Sequence, residues 1–395
     1  MNNFTFYSPT HFEFGKDTES KTGGLIRKFG GTKVLFVYGG GSIKKSGLYG
    51  EIVTSLGASG LPFNELSGVS ANPRDTLVYE GIEIVRSTGI DFILAVGGGS
   101  VIDTAKAIAS GSLYDGDFWD FFCGKAKPEK ALPVGTVLTI SAAGSEGSPD
   151  AVVVKTTGLA PGETPKKAGH SGDCLRPKFS VLNPALTFTL PAYQTAAGAA
   201  DIIQHVAERY FSNTENCEIT DRMCESVILT MLSEAPKAIA NPADYDARAN
   251  IMWAGTVAHT NICGVGRVQD WACHGLEHEI SARYDSAHGA GLSVLFPHWL
   301  EYAGNRNPHK AVLFAERIFG VKTGGNAPAA ISEAFARLRA FYGSIGLPGS
   351  LSELGVKAED LDTFADRVLA RKGGSLGNYV TFGKDDILAI YKAAL

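Results

Sequence analysis

Twice in its first hundred residues the chain runs a continuous apolar stretch into three glycines and a serine. Val34-Leu35-Phe36-Val37-Tyr38 stops at Gly39-Gly40-Gly41-Ser42, and Ile93-Leu94-Ala95-Val96 stops at Gly97-Gly98-Gly99-Ser100. A run that is apolar at every position needs cover on both faces, the situation of a parallel strand with helices above and below it. Helical periodicity over 48–56, 76–87 and 101–110 supplies that cover. Further strands are expected at 4–7, 11–14, 61–66, 133–140, 151–155 and 179–182. This strand–helix alternation specifies a doubly wound, mostly parallel, Rossmann-like sheet. After Leu190-Pro191 the pattern changes. Ten helical segments are expected, at 192–212, 217–239, 243–263, 267–282, 290–302, 308–319, 325–345, 350–355, 358–371 and 384–394, with almost no strand. The reading is an α/β domain over 1–188 followed by an all-α domain over 189–395, enough chain for two separate cores.

Composition narrows the function. With 19% charged residues, a net charge of −5 and no basic block, the chain is not expected to bind nucleic acid. The six cysteines, at 123, 174, 217, 224, 263 and 273, form no CxxC pair, which fits unpaired thiols in a cytoplasmic protein. The opening MNNFTFYSPTHFEFG has neither the basic nor the apolar segment of a secretory leader. No apolar run is long enough to span a bilayer.

The glycine turns and a histidine cluster carry the chemistry. A strand–glycine–helix junction offers bare backbone amides and a helix N-terminus to a phosphate. Either copy alone reads first as a tight turn; two in one sheet, with Gly144-Ser145 as a third, favour a dinucleotide. The first turn holds no carboxylate for a ribose 2′-hydroxyl and is followed by Lys44 and Lys45, which favours NADP(H) over NAD(H). A solvated helix start accounts for the two lysines equally well. In the second half, His274, His278 and His288 fall within fifteen residues, and His274 and His278 share one helical face. Asp201 and His205 show the same four-residue spacing in apolar surroundings, where a carboxylate calls for a cation. Asp201, His205, His274 and His288 together make three imidazoles and one carboxylate, a set suited to Fe²⁺ or Zn²⁺ with a position open for substrate. A solvated turn is expected for His11, His170 and His309, and a packed helix position for His259; His298 reads as structural. Phe118, Trp119, Phe121 and Phe122 form either a pocket wall or, more commonly, an aromatic core.

These stretches together resemble the iron-containing (group III) alcohol dehydrogenases, in particular the branch of butanol dehydrogenases and NADPH-dependent aldehyde reductases. The likeness runs through FTFYSPT (4–10), Phe14-Gly15, YGGGSIKKSG (38–47), LAVGGGSVIDTAKAIA (94–109), AAGSE (142–146), LRPKFSVLNP (175–184), DIIQH (201–205) and WACHGLEHEISARYDSAHG (271–289). It implies a dehydroquinate synthase-like fold and a metal held by Asp201, His205, His274 and His288. It implies a pyrophosphate loop at Gly97, Gly98, Gly99 and Ser100, with Asp103 on the nicotinamide side and assigned a catalytic part. It further implies a ribose-facing turn at Gly39, Gly40, Gly41 and Ser42, cofactor contacts from Thr139 and Lys167, and a proton-relay role for His278. His278 as a donor that only orients a neighbour is the competing reading. Small primary alcohols or aldehydes are the implied substrates, and a homodimer is expected. Two departures stand out: Ala143 replaces the family's usual threonine, and Ser148 its common asparagine. The loop at 158–164 is unusually rich in glycine and proline. The alternatives are a polyol or glycerol dehydrogenase relative and a metal hydrolase without nucleotide, which leaves both glycine turns without a purpose.

Overall fold

The computed structural model describes residues 1–160 and 163–395; the middle of the 158–164 loop, Pro161 and Gly162, lies outside the described residues. The chain groups into two compact units. One comprises Tyr7–Leu190 with Ala243–Met252, the other Met1–Phe6, Pro191–Pro242 and Trp253–Leu395.

In the first unit six strands form one parallel sheet: β1 (His11–Phe14), β2 (Val34–Gly39), β3 (Phe63–Val69), β4 (Phe92–Gly97), β5 (Val134–Leu138) and β8 (Phe179–Leu182), in the order β1-β8-β5-β4-β2-β3. Helices α1 (Thr22–Lys28), α2 (Leu48–Ala58), α3 (Asp75–Thr88) and α4 (Gly99–Gly111) connect the strands. Two apolar cores explain why the strands read as unbroken runs. Leu35, Val37, Ile93 and Ala95 pack into one; Val34, Phe36, Tyr38, Phe92, Leu94 and Val96 pack into the other. Alternate side chains leave opposite faces of a strand, and both faces are covered.

The strand order places the two glycine turns. β2 and β4 are neighbours, with Tyr38 beside Val96. From β2 the chain passes outward to β3, and from β4 it passes the other way to β5. Both glycine turns therefore leave the carboxyl ends of adjacent strands at the point where the winding reverses, the place where open α/β sheets bind ligands.

A separate antiparallel pair, β6 (Asp150–Lys155) with β7 (Lys166–Ser171), lies outside the main sheet. β7 has no counterpart in the sequence reading, because its buried positions are Lys167 and His170 and apolar alternation cannot reveal it. His170 is not in a solvated turn. It packs against Phe121 and Phe122, with ring centroids 5.6 and 4.3 Å away. Phe118, Phe121 and Phe122 are buried in the apolar core, so the aromatic cluster is core. His11 sits on β1 rather than in a turn. Residues 4–7 form no strand: Phe4, Phe6 and Tyr7 are exposed, and Asn2 N donates to the Gly266 carbonyl.

The second unit is helical: α5 (Ala192–Tyr210), α6 (Glu218–Ala240), the end of α7 (Tyr245–His259), α8 (Ala272–Tyr284), α9 (His288–Arg306), α10 (Pro308–Phe319), α11 (Ala327–Ser344), α12 (Leu361–Lys372) and α13 (Lys384–Ala394). Segments 352–354 and 358–360 are single 3₁₀ turns. Tyr210, Phe211, Phe296, Trp299 and Phe314 fill its centre. No helix among the described residues is long and apolar enough to cross a membrane.

His170 yields a stability prediction. Burial pushes its pKa down to about 4, and neither ring nitrogen has a hydrogen-bond partner among the described residues. A depressed histidine contributes stability that is present above its unfolded value, near 6.5, and lost as pH falls through the folded value. Between neutrality and that point the loss is on the order of 3 kcal/mol. His170→Phe keeps the aromatic packing and has no proton to gain. Denaturant melts of both proteins should show the variant resisting acid better by about that amount; parallel pH profiles would reject this account of His170.

Candidate metal centre and nucleotide turns

Asp201 and His205 lie one turn apart on α5, His274 on the first turn of α8, and His288 at the first position of α9. The packing of α9 is what joins them. A Cβ on Gly289 would collide with the main-chain carbonyl of Ala197 on α5. Glycine therefore lets the two helices touch backbone to backbone, one turn before Asp201. Asp201 Oδ1 then lies 3.1 Å from His205 Nδ1, 3.8 Å from His274 Nε2 and 3.9 Å from His288 Nε2. Asp201, His205 and His274 each offer a ligand atom within one 4.8 Å span, and so do Glu277, His278 and His288.

Buried carboxylates stand behind two of the rings. Glu208 Oε1 accepts from the His274 main-chain N at 2.9 Å and pairs with its Nδ1 at 3.1 Å. Glu277 Oε2 pairs with His288 Nδ1. With Nδ1 donating, Nε2 carries the lone pair on the side of Asp201. Asp201 Oδ1 and His274 Nε2 are buried without a well-formed hydrogen bond. Buried polar atoms seldom stay unmatched, and a cation between these two satisfies both. Burial raises the Asp201 carboxyl, but the imidazoles of His205, His274 and His288 outweigh it and hold the group well below the usual carboxylate range. Burial pushes His205 down to about 3. Burial also works to lower His274, but Asp201 and Glu208 prevail and raise it to about 9.

In the α/β unit, α4 begins at the second glycine turn. A Cβ on Gly98 would stand 3.1 Å from Ile140, and one on Gly99 3.2 Å from Ala143. Thr139 N donates to the Gly97 carbonyl at 3.1 Å, which seats Thr139 beside this turn. Asp103, one turn into α4, accepts from Ser145 Oγ at 2.6 Å and from Val152 N at 3.1 Å. Burial pushes its carboxyl up to about 6. Lys106, pushed down to about 8 by burial, donates to the carbonyls of Ser145, Ser148 and Asp150. At the first turn, Gly41 has a φ of 116°, which favours glycine on conformational grounds. Gly40 is different: its φ is ordinary and an added Cβ meets no protein atom. Neither backbone nor packing explains its small size.

A family model described as "Iron-containing alcohol dehydrogenase" matches residues 9–184, and one described as "Fe-containing alcohol dehydrogenase family, C-terminal" matches 195–395. The chain belongs to the iron-containing alcohol dehydrogenase family. It is 41% identical to NADH-dependent butanol dehydrogenase A of Clostridium acetobutylicum, over 99% of each chain. It is 35% identical to the NADPH-dependent aldehyde reductase YqhD of Escherichia coli, over the whole of both. The crystal structure of NADH-dependent butanol dehydrogenase A from Thermotoga maritima superposes with a TM-score of 0.95 at 41% identity, covering 100% of this chain and 99% of that one. As a member of this family the chain is an alcohol dehydrogenase linked to a nicotinamide nucleotide.

Of the alcohol dehydrogenase residues singled out in the sequence, Asp201, His205, His274 and His288 do gather. His278 lies off to one side, its ring centroid 5.6 Å from His288 and 6.5 Å from His274. Lys167 is buried on β7 with Nζ donating to Asn72 Oδ1 at 3.0 Å. Lys44 lies over the rings of Tyr38 and Tyr49, at 5.2 and 4.8 Å. Ser148, in place of the common asparagine, is part of the Lys106 cage. Glu208 and Glu277 escaped the sequence reading. Each is i+3 from a histidine, His205 and His274 respectively, a spacing that marks many surface ion pairs as well. Trp271, at a left-handed φ of 66°, also went unread; its ring stands 5.2 Å from that of His274.

Without an ion, His274 holds its proton up to about pH 9, and an incoming cation must displace it. Zn²⁺ affinity is therefore expected to fall about tenfold for each pH unit below that value. Competition titrations against a chromophoric chelator at several pH values measure the slope; a flat profile would show that His274 carries no proton for the ion to displace, and a slope unchanged in His274→Ala would take the proton away from His274.

Proposed function

We propose that this chain reversibly reduces small aldehydes to primary alcohols, by hydride transfer between NAD(P)H and the carbonyl carbon. Residues 189–395, apart from Ala243–Met252, which pack with the α/β unit, form the metal-binding domain, with Asp201, His205, His274 and His288 as ligands to Fe²⁺ or Zn²⁺. Residues 1–188, apart from Met1–Phe6, which pack with the helical unit, form the nucleotide domain, with Gly97, Gly98, Gly99 and Ser100 facing the pyrophosphate and Gly39, Gly40, Gly41 and Ser42 the adenosine ribose. The observation that carries the reading is Asp201 Oδ1 within 4 Å of imidazole nitrogens from three helices. A metal in that set supplies a Lewis acid that polarises a carbonyl oxygen and favours the alkoxide of an alcohol. The activities that name the relatives, on butanol and on aldehydes, support small alcohols and aldehydes as substrates.

Around that centre the chain's own groups have distinct tasks. Glu208 and Asp201 hold the His274 ring. His278, half-buried and next to His288, relays the proton that the alkoxide takes up in reduction and the alcohol releases in oxidation. Thr139 and Lys167 line the nucleotide's path. Asp103 is engaged by Ser145 and Val152, so its contribution is to fix segment 145–152 against α4.

For the nucleotide, the absence of a carboxylate in the first turn supports NADP(H), since nothing there repels a 2′-phosphate. The NADH-dependent relative at 41% identity supports NAD(H) as a second reading. Gly40 decides between them. Gly40→Asp should lower kcat/KM with NADPH on the order of 10–100-fold through like-charge repulsion, and with NADH by less than about threefold. Equal losses with both nucleotides would take the ribose away from this turn.

The reaction itself is tested by following NADPH and NADH absorbance with butanal after loading with Fe²⁺ or Zn²⁺. Asp201→Ala and His274→Ala should each lose activity on the order of 1,000-fold, the several kcal/mol a Lewis acid supplies. Full activity in either variant, or no oxidation of either nucleotide by any aldehyde in the wild type, would end this reading.

A further inference from the structure

The three histidine ligands are not held alike. His205 Nδ1 lies 3.0 Å from the main-chain oxygen of Asp201, so its own helix orients it. His274 is gripped twice by Glu208, through the ring and through its main-chain N. His288 is held in a third way. It opens α9 after an extended Ala287, and its side chain is 23% exposed. Its ring is oriented by Glu277.

Glu277 is fully buried on α8. Its Oε2 takes His288 Nδ1 and also accepts from Ser281 Oγ at 3.2 Å. The fold makes room for it: a Cβ on Gly291 would stand 2.8 Å from Glu277 Cγ, so glycine on α9 leaves the channel this side chain occupies. Removing a carboxylate from water is expensive, and a merely space-filling role is served better by an apolar residue.

We propose that Glu277 is a positioning residue of the metal centre: through Nδ1 of His288 it fixes the ring and directs Nε2 toward the ion beside Asp201, and its negative charge strengthens that ligand. The proposal rests on the metal reading above. It assigns Glu277 to His288 and not to an ion of its own, although Glu277, His278 and His288 each bring a ligand atom within one 4.8 Å span.

The test is metal binding, with the full chain stripped and reloaded with Zn²⁺. Stoichiometry comes from elemental analysis, affinity from chelator competition, and ligand geometry from the visible spectrum of the Co²⁺ form. One ion per chain is expected in the wild type. Glu277→Ala should weaken affinity on the order of 10–100-fold, with Glu277→Gln, which keeps the shape and an acceptor oxygen, in between. Both should shift the Co²⁺ bands. In a His288→Ala background, Glu277→Ala should change affinity by less than about twofold, because its route to the ion is already gone. Circular dichroism and melting of the metal-free proteins identify any variant that fails to fold; if the alanine variant does, the isosteric glutamine variant carries the comparison. Wild-type affinity in Glu277→Gln and Glu277→Ala, an undiminished effect in the His288→Ala background, or two ions per chain would each overturn the proposal. A wild type that binds no ion, or binds it equally with Asp201→Ala, would instead overturn the metal reading beneath it.

Discussion

Asp201 is a carboxylate almost wholly out of water, and a charge in that position is stable only if its surroundings answer it. The helical unit answers with imidazoles from three helices. Each approach has its own structural requirement: a four-residue spacing on α5 for His205, a first turn seated on Glu208 for His274, and a glycine contact at Ala197 for His288. If α9 stood off from α5 by the width of a methyl group, His288 would leave the set. The backbone contact at Gly289 and the chemistry at Asp201 are therefore one constraint seen at two scales. A close-packed interior transmits a displacement of that size instead of absorbing it.

The α/β unit solves a different problem. Phosphate recognition calls for donors without side chains, at a place where the sheet opens. Adjacent parallel strands β2 and β4 offer such a place to the proposed nucleotide site, because the chain leaves them in opposite directions. The buried Asp103–Lys106 system serves the same end from below. It ties segment 145–152 to α4 through Ser145, Ser148, Asp150 and Val152. The helix that begins at the glycine turn is thereby anchored one and two turns behind it. Lys106 meets carbonyl oxygens and is pushed down by burial, while Asp103 is pushed up. Each opposes the other's shift, as expected for a buried pair whose charges partly compensate.

What the sequence made legible follows from periodicity and residue chemistry. The parallel strands were plain because both faces are apolar, and the long helices because one face is. Asp201, His205, His274 and His288 could be singled out because a carboxylate in apolar surroundings calls for a cation and the imidazoles are its natural company, and the fold does bring the four together. The strand β7 was hidden because its inward residues are Lys167 and His170, which hydropathy counts as outward. His170 was misplaced for the same reason: its burial is enforced by Phe121 and Phe122, far away in sequence. Glu208 and Glu277 were hidden because a glutamate on a helix ordinarily faces water. Only the packing of three helices turns these two inward, and no local pattern announces that.

The pairing of His274 with His278 shows where spacing stops being informative. Four residues apart on α8, they do share a face, yet their ring centroids are 6.5 Å apart, and Asp201 Oδ1 lies 3.8 Å from Nε2 of the first. The selection is made from outside the helix, by what stands behind each ring. His274 has Glu208 at its Nδ1 and main-chain N, so its Nε2 is presented inward. His278 is half-buried and leans toward His288. A ligand needs a fixed tautomer and a fixed direction, whereas a proton carrier needs to turn and to meet solvent. On the proposed function, burial and carboxylate backing divide two chemically identical side chains, one turn apart, between two incompatible tasks.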